Sequence, residues 1–398
     1  MIEVRQAKNR DEFEQACDLW ADVFPEDRAF FRDRLVYDAA YSLDTTWLAW
    51  VDGTMAAAAQ IFPFWMKWGT AELRVGGIGN VATRPEFRKR GLAQSILRLQ
   101  SAYMKAQGYD LSLLMTGINP FYEKIGWHTL SHPTITAART ALKRTEIAGA
   151  YRIRAFEAGD LDQVMEIYEE TNAGTIGPMV RTKAYWLGQT EWKAVRPDHF
   201  LVAENNGNIV AYLRYKTTKD SVLHVADCGY RTGEEQAAEA LLSDAAAKEQ
   251  AAETVRAALP AGSALYDYLQ RSGAGIGAST GHMWKSINFP GTLAKISSEL
   301  ALRIGQNGGK EGIQLPVSLL FTVGGEQALV RVGEGTVEAL TVTDSVTYQT
   351  EFVFRDDEWL TLLLKGADAW ENRKAKGGEY VRALFPERPF VFWSVDNF

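Results

Sequence analysis

The 398-residue sequence has little cysteine and no long hydrophobic segment. Its two cysteines, Cys17 and Cys228, lie far apart, which argues against a disulfide framework and favours a cytoplasmic location. No uninterrupted apolar run reaches the ~18 residues that indicate a transmembrane helix. The opening residues, MIEVRQAKNRDEFEQ, lack the apolar segment of a secretory signal. We therefore expect a globular cytoplasmic protein with no membrane partner.

The sequence also has few histidines and no excess of positive charge. Among the five histidines, His128 and His132 lie four residues apart, but Pro133 follows and no third ligand is near, so the sequence predicts no metal site. The net charge of −7 argues against a nucleic-acid partner and favours cationic partners. Apolar residues, in contrast, are plentiful at 46%, and the length suggests about two or three domains.

Sequence patterns divide the chain into three units, for which we predict the boundaries 1–148, 149–288 and 289–398. The first unit alternates helices and strands. Residues 11–20 fit an amphipathic helix. Two apolar runs joined at Asp52-Gly53 predict a hairpin, because this pair tolerates the positive φ of a tight turn.

The second unit repeats this pattern and the third departs from it. From Tyr151 a short strand precedes an acidic-capped amphipathic helix, and a second hairpin turns near Asn206-Gly207. After Pro290 the chain has the pattern of several strands followed by two helices, an α+β arrangement. The predicted fold class is therefore α/β for the first two units and α+β for the third.

The segment NVATRPEFRKRGLAQ, residues 80–94, carries the clearest functional pattern. An apolar strand ends at a proline, the basic residues Arg88, Lys89 and Arg90 follow, and a helix begins after Gly91. Within that helix, apolar side chains recur at a spacing that predicts one buried face, at Leu92, Ile96, Leu99 and Tyr103.

This combination is suited to binding an anion. The N-terminus of a helix exposes unpaired N–H groups and a partial positive charge, and glycine lets the backbone approach a phosphate closely. We therefore predict that the N–H groups of residues 89–94 bind a pyrophosphate, with help from the basic side chains. The spacing fits neither a Walker loop nor a dinucleotide-binding loop. The alternative is a solvated basic turn that starts an ordinary helix.

The run V-A-T-R-P-x-F-R-x-R-G-x-A within this segment resembles the acetyl-CoA motif of GCN5-related N-acetyltransferases. The resemblance extends over essentially the full chain to the enhanced intracellular survival (Eis) family. That family implies two fused acetyltransferase domains, each a mixed sheet with helices, and a C-terminal α+β domain like a sterol carrier protein. It also implies acetyl-CoA as co-substrate, no metal, and a homo-oligomer, with a hexamer favoured.

The resemblance also implies which residues bind acetyl-CoA. They lie on the strand before the turn, on the turn itself and at the end of the next strand, at Val81, Ala82, Thr83, Arg88, Lys89, Arg90, Gly91, Leu92, Ala93, Gln94, Gly117 and Ile118. In the second unit the equivalent passage has Gly233, but Glu234 and Glu235 follow directly. Because these carboxylates would repel a pyrophosphate, we expect no acetyl-CoA there.

Two residues are predicted to act in catalysis. Tyr122, in NPFYEKIGW, is the candidate acid that protonates the departing thiolate, a role that the matching tyrosine has in the resembled family. The alternative is that its ring only packs. The base implied by the resemblance is the α-carboxylate of the terminal Phe398. The alternative is a terminal strand that only completes the third unit.

The predicted reaction is acetyl transfer from acetyl-CoA to primary amines of a small molecule, such as an aminoglycoside. The alternatives are a protein or peptide lysine as acceptor, and a non-enzymatic protein that binds acyl-CoA or lipid. Cationic amines would bind acidic side chains, and rings would line a wall of the acceptor site. The candidates are Glu26, Asp27 and Asp396 for the amines and Phe62, Phe64, Trp65 and Trp68 for the wall. The alternative, which residue statistics favour, is that the acidic side chains are surface charge and the rings pack in the core.

Overall fold

The computed structural model describes residues 1–26, 28–143, 150–192, 196–370 and 376–398. In the structure the chain folds into two compact units, which differ from the three predicted segments. From here on, first and second unit refer to these two. The first comprises Met1–Leu130, Thr280–Arg388 and Phe398, and the second comprises Ser131–Ser279 and Pro389–Asn397. The boundary predicted at 148–149 lies outside the described residues, and the three-domain division stays a prediction.

The first unit is built on a mixed sheet. Its strands are β1 (Ile2–Gln6), β2 (Thr46–Val51), β3 (Thr54–Trp68), β4 (Ala71–Thr83), β5 (Leu111–Met115), β6 (His128–Thr129) and β15 (His282–Ser286). They run in the order β1-β2-β3-β4-β5-β15-β6. The only parallel pair along this order is β4 with β5, and the remaining neighbours are antiparallel. The helices of this part are α1 (Arg10–Val23), α2 (Arg28–Val36), α3 (Leu92–Ala106) and α4 (Asn119–Glu123).

The hairpin predicted at Asp52-Gly53 is confirmed. Both residues have positive φ, 49° and 83°, as a tight turn between twisted strands requires, and β2 pairs with β3 across it. Helix α3 is also confirmed, but its buried face is not quite the predicted one. Leu99 is 41% exposed, because the buried stripe passes through Ile96, Leu97 and Met104 instead.

The rest of the first unit is a four-stranded sheet with helices. Its elements are α9 (Phe289–Glu311), β16 (Val317–Val323), β17 (Glu326–Gly333), β18 (Thr336–Thr341), β19 (Thr350–Phe354), α10 (Asp356–Lys365) and α11 (Gly378–Leu384), with the strand order β18-β17-β16-β19. Aromatic rings fill its interior; Phe321 packs edge-on to Phe352, and Phe289 packs edge-on to Trp359.

The tip of the β3–β4 hairpin reaches into this segment. The indole Nε1 of Trp68 donates a hydrogen bond to the carbonyl of Leu363 at 2.7 Å, and the guanidinium of Arg303 lies 3.7 Å from the centre of the Trp68 ring. Thr70, beyond the turn, donates to the carboxylate of Glu299. These contacts join the hairpin tip to the C-terminal part of the first unit, largely through the buried side chains of Trp68, Glu299 and Arg303.

The second unit holds a seven-stranded sheet. Its elements are β7 (His132–Ala138), β8 (Arg152–Ala155), α5 (Leu161–Thr171), β9 (Ile176–Met179), α6 (Lys183–Glu191), β10 (Phe200–Asn205), β11 (Asn208–Thr217), β12 (Val222–Tyr230), α7 (Glu235–Lys248), β13 (Thr254–Ala257), α8 (Ala264–Arg271) and β14 (Gly275–Ser279). The sheet order is β14-β7-β13-β12-β11-β10-β8. The molecule therefore has a mixed α/β fold. None of the helices in the described ranges combines the length and the apolar composition needed to cross a membrane.

Candidate active site

A cleft of about 470 Å³ opens in the first unit where β4 leads into α3. It is lined by Val81, Thr83, Phe87, Arg88, Lys89, Arg90, Gly91, Leu92, Ala93, Gln94, Ile118, Phe121 and Tyr122. Most of the residues predicted to bind the co-substrate thus surround one space, together with the predicted acid. Two of them do not line it: Ala82 turns a buried side chain into the core beside α1, and Gly117 lies outside.

The cleft forms where the pairing of β4 with its two neighbouring strands changes. Pairing with β5 ends at Ile78, and beyond it no strand in the described ranges pairs with β4 on that side. On the other side the register with β3 shifts by one residue, since Ala82 pairs with Ala58 but Gly79 pairs with Gln60. The extra residue is accommodated by Asn80, whose φ is 52°. Such a β-bulge bends a strand and redirects its side chains.

The turn before α3 presents unpaired backbone donors to the cleft. Lys89 and Gly91 both have left-handed φ values, 63° and 74°. The first bond inside the helix runs from the N–H of Ser95 to the carbonyl of Gly91, and no side chain caps this end. The N–H groups of the first helical turn are therefore free to bind an anion, as the geometry of helix N-termini dictates.

The basic side chains of the turn are not neutralised. Within the described parts of the chain, Arg88, Lys89 and Arg90 form no ion pair with a carboxylate. The guanidinium of Arg88 donates to the carbonyl of Thr83, and that of Arg90 lies 5.2 Å above the Phe87 ring. Three uncompensated cations beside open N–H groups make this end of the cleft suited to the phosphates of a nucleotide.

Tyr122 also lines the cleft. Its ring packs edge-on against Phe121 and Trp127, and the side chain is 8% exposed. Among the described residues, none forms a hydrogen bond with its hydroxyl. Burial raises the pKa of this phenol to about 12, so it carries its proton at neutral pH.

Phe398 packs on β4, two strand positions before the cleft. Its ring stacks on Phe62 at 5.3 Å between centroids and lies 5.9 Å from Phe64. Two glycines make this approach possible. A Cβ on Gly77 would overlap the far edge of the Phe398 ring, and a Cβ on Gly79 would lie 3.3 Å from the carboxyl carbon.

The residues proposed for the acceptor have different surroundings. Glu26 is exposed, and Asp27 lies outside the described residues. Asp396 is not available to a substrate, because the buried guanidinium of Arg181 binds it at 2.7 Å within the second unit. Trp68 is buried at the hairpin tip, whereas Trp65 is 43% exposed.

The second unit has its own strand-to-helix turn, occupied by acidic side chains. Gly233 has a φ of 87°, and its N–H donates to the carboxylate of Glu235. The neighbouring Glu234 accepts a hydrogen bond from the hydroxyl of Tyr151. A carboxylate thus faces the backbone donors here. That this turn binds no acetyl-CoA stays a prediction.

The sequence analysis missed the glycines of β4 and the bulge at Asn80. A signal was present, because GGIGN places three glycines in one strand, and a glycine inside a strand often marks a close approach of another group. In the described ranges, no group of three or more histidine, cysteine, aspartate or glutamate residues is arranged to hold a metal ion.

Residues 3–130 match the family profile described as "Acetyltransferase (GNAT) domain". This match contains the whole cleft. The protein is an acyltransferase. Enzymes with this domain take an acyl-CoA as co-substrate, and the cleft fits one, because its lining combines open N–H groups and cations for the phosphates with a phenol. A comparison with curated proteins finds no match to this chain.

Solved structures share the fold over the full length. A probable N-acyltransferase from Enterococcus faecalis superposes with a TM-score of 0.77 at 16% identity, covering 100% of both chains. A GCN5-related N-acetyltransferase from Anabaena variabilis gives 0.73 at 14% identity, and Eis1 from Mycobacterium abscessus gives 0.65 at 15% identity, each again covering 100% of both chains. At these identities the likeness concerns the fold of the acyltransferase alone.

Proposed function

We propose that this acyltransferase is an Eis-like N-acetyltransferase that moves the acetyl group of acetyl-CoA to a primary amine of a small molecule. The observation that carries the proposal is the union, in one cleft, of an uncapped helix N-terminus, three unpaired cations and a buried phenol. The first two suit the phosphates of coenzyme A, and the third suits the sulfur that leaves.

In this proposal the backbone of β4 beyond the bulge, at Val81 to Thr83, binds the pantetheine arm, and the turn at 88–94 binds the pyrophosphate. Gly117 and Ile118 contact the same arm from the end of β5. The edge of β4 supports this arrangement, because its pairing with β5 ends at Ile78 and leaves the backbone of Val81 without a described strand on that side.

The reaction is direct attack. The amine nitrogen forms a bond to the thioester carbonyl carbon, and the carbon–sulfur bond then breaks. The carboxylate of Phe398 accepts the proton that the amine loses, and the hydroxyl of Tyr122 donates a proton to the sulfur. The raised pKa of Tyr122 keeps the phenol protonated at neutral pH, so its proton is still present when the carbon–sulfur bond breaks.

The place of Phe398 supports its role as base. Its carboxyl group lies against Gly79, on the same strand as the cleft residue Val81 and two residues before it. The packing of its ring on Phe62 and Phe64 holds the residue on β4. A carboxylate held in place beside the acyl-CoA can accept the proton of the amine without a reorganisation of solvent.

We propose a small molecule, for example an aminoglycoside, as acceptor, and a protein or peptide lysine as the second candidate. The aromatic rings around Phe398 favour a bounded acceptor site over an open groove. The non-enzymatic alternative is dropped, because the acetyltransferase domain makes the chain an enzyme. The sterol-carrier-like character of the C-terminal segment, the hexamer and the cytoplasmic location belong to the Eis-like proposal and stay predictions.

Release of free coenzyme A tests the proposal. Purified protein is incubated with acetyl-CoA and a panel of amines containing an aminoglycoside, a polyamine and a lysine peptide, and thiol release is followed together with the product mass. We expect turnover with at least one small amine and a product heavier by one acetyl group. Turnover with the lysine peptide alone would show that the acceptor is a protein or peptide lysine and not a small molecule. The absence of thiol release with every amine would overturn the proposal.

A further inference from the structure

The two glycines of β4 that face Phe398 lie on one side of the strand. Side chains alternate along a strand, so Gly77 and Gly79 share a face and Gly76 lies on the other. The contacts agree with this alternation. A Cβ on Gly76 would overlap Sδ of Met104 and approach the Tyr109 ring in the core, whereas the three atoms nearest to a Cβ on Gly77 all belong to the Phe398 ring.

The face of β4 at Gly77 and Gly79 therefore carries no side chain at these two positions and presents only backbone. The Phe398 ring fills the space that a side chain at 77 would occupy, with its Cε1 and Cε2 atoms at 2.6 Å from that Cβ position. At Gly79 the nearest atoms are Cε2 of Phe62 at 2.8 Å and the carboxyl carbon and oxygen of Phe398 at 3.3 and 3.4 Å. One glycine faces the ring and the other faces the carboxyl group.

We propose that Gly77 and Gly79 are positioning residues that form, with Phe62 and Phe64, a binding site for the ring and carboxylate of Phe398. The inference rests on the proposed function of that carboxylate as the base. Gly77 sets how deeply the ring lies on the strand, and Gly79 leaves room for the carboxyl group. Any side chain at either position moves the carboxylate away from the reacting atoms while leaving the coenzyme A cleft intact.

A size exchange between positions 77 and 398 tests the contact. Gly77→Ala adds a methyl group where Cζ, Cε1 and Cε2 of the ring now lie, and Phe398→Leu removes these atoms while keeping an apolar side chain and the carboxylate. We expect Gly77→Ala to lower kcat about tenfold or more, since a displacement of ~1 Å at a catalytic group has this effect or a larger one. The affinity for acetyl-CoA should stay within about twofold, because the cleft lies beyond the bulge.

The double variant Gly77→Ala/Phe398→Leu should recover kcat to within about threefold of Phe398→Leu alone, because the added methyl then fills the vacated space. Gly76→Ala is the matched control. It makes the same change at the next residue and strains the core, so it should lower the melting temperature yet keep kcat, and Phe398→Leu should not relieve it. Gly79→Ala should also lower kcat, but Phe398→Leu should not restore it. The methyl group at position 79 meets the carboxyl group of residue 398, and this group is still present in Phe398→Leu.

Thermal unfolding of the same variants separates this inference from the proposed function. Phe398→Leu should reduce the drop in melting temperature caused by Gly77→Ala, whether or not the protein shows transferase activity. Additive melting temperatures would overturn the contact. If the wild-type protein has no activity, the proposed function fails while the contact is still tested. If the wild type is active and Gly77→Ala matches its kcat, the positioning role is wrong.

Discussion

At the scale of single residues, the cleft depends most on Tyr122. Its ring is fixed by Phe121 and Trp127, and its hydroxyl is left without a partner in the described part of the protein. Because the residue lines the open cleft, its hydroxyl is available to donate a proton to a bound substrate.

Replacing Tyr122 by phenylalanine should therefore affect turnover more than stability. We expect kcat to fall about a hundredfold, the usual effect of losing a positioned acid. The melting temperature should barely change, because the hydroxyl bonds no protein group. Tyr103→Phe is the matched control; that hydroxyl bonds Asp44 away from the cleft, and its loss should leave kcat unchanged. A full kcat in Tyr122→Phe would remove this residue from the mechanism.

The pH dependence follows from the direction of the pKa shift. Burial raises the pKa of Tyr122 from 10 to about 12, so the protonated form that donates persists well into the alkaline range. As pH rises, the acceptor amine loses its proton and becomes reactive. We expect kcat/KM for the amine to rise and then level off between about pH 7 and 10, with no decline from Tyr122. A decline in this range that disappears in Tyr122→Phe would contradict the assignment.

At the scale of elements, the turn from β4 into α3 was predictable because its pattern is local. The basic residues, Gly91 and the helical spacing all lie within fifteen residues of sequence, and each has a direct backbone consequence. The contacts of Phe398 with Gly77 and Gly79 were not predictable, because these residues lie more than three hundred positions apart in the sequence. Glycines also provide no side chain whose pattern could indicate a partner. For the same reason the partner of Asp396 could not be predicted, since Arg181 lies more than two hundred residues away in the sequence.

The two ends of α3 offer a controlled test of the anion site. Gly91 and Gly108 have nearly equal φ values, 74° and 72°, and a Cβ on either would meet no atom within 4 Å. Glutamate at both positions thus brings the same backbone strain and the same charge. The helix dipole favours the carboxylate at Gly91, the N-terminal end, so stability alone would favour that variant.

Binding of acetyl-CoA should show the reverse order. We expect Gly91→Glu to abolish binding, because its carboxylate takes the place of the pyrophosphate, and Gly108→Glu to bind with an affinity within about twofold of wild type. Isothermal titration calorimetry measures both. Normal affinity in Gly91→Glu would remove the anion site from this turn.

At the scale of the whole molecule, the second unit has a buried charge network. The guanidinium of Arg181 is fully buried and binds Asp227 at 2.6 Å and Asp396 at 2.7 Å. The hydroxyl of Tyr185 also donates to Asp396. Such groups are satisfied only together, because removing one partner leaves the others as uncompensated buried charges.

Arg181→Met should therefore destabilise the second unit by about 3–5 kcal/mol. Arg196→Met is the matched control, since Arg196 pairs with Asp198 and both side chains are about 60% exposed. That change should leave the stability nearly unchanged, because an exposed ion pair is screened by solvent. Hydrogen exchange of peptides from β11 and β12 in each variant measures the difference. Equal protection in both variants would contradict the structural role of the network.

The assembly state is a further property of the whole molecule. The resemblance to the Eis family implies an oligomer larger than a dimer, with a hexamer favoured. Multi-angle light scattering at micromolar concentration should give a mass above twice that of the 44.3 kDa chain. A monomer mass would contradict this expectation without affecting the chemistry proposed for the cleft.

The central claim is that the carboxylate of Phe398 and the hydroxyl of Tyr122 act in one proton path at the end of the coenzyme A cleft. The most direct measurement is kcat for a chain lengthened by one glycine after Phe398, which moves the carboxylate by up to ~3.6 Å. We expect kcat to fall about a hundredfold while the affinity for acetyl-CoA is retained. Combined with Tyr122→Phe, the loss should be less than the product of the two single losses. An unchanged kcat in the lengthened chain, with a reduced kcat in Tyr122→Phe, would show that another group is the base.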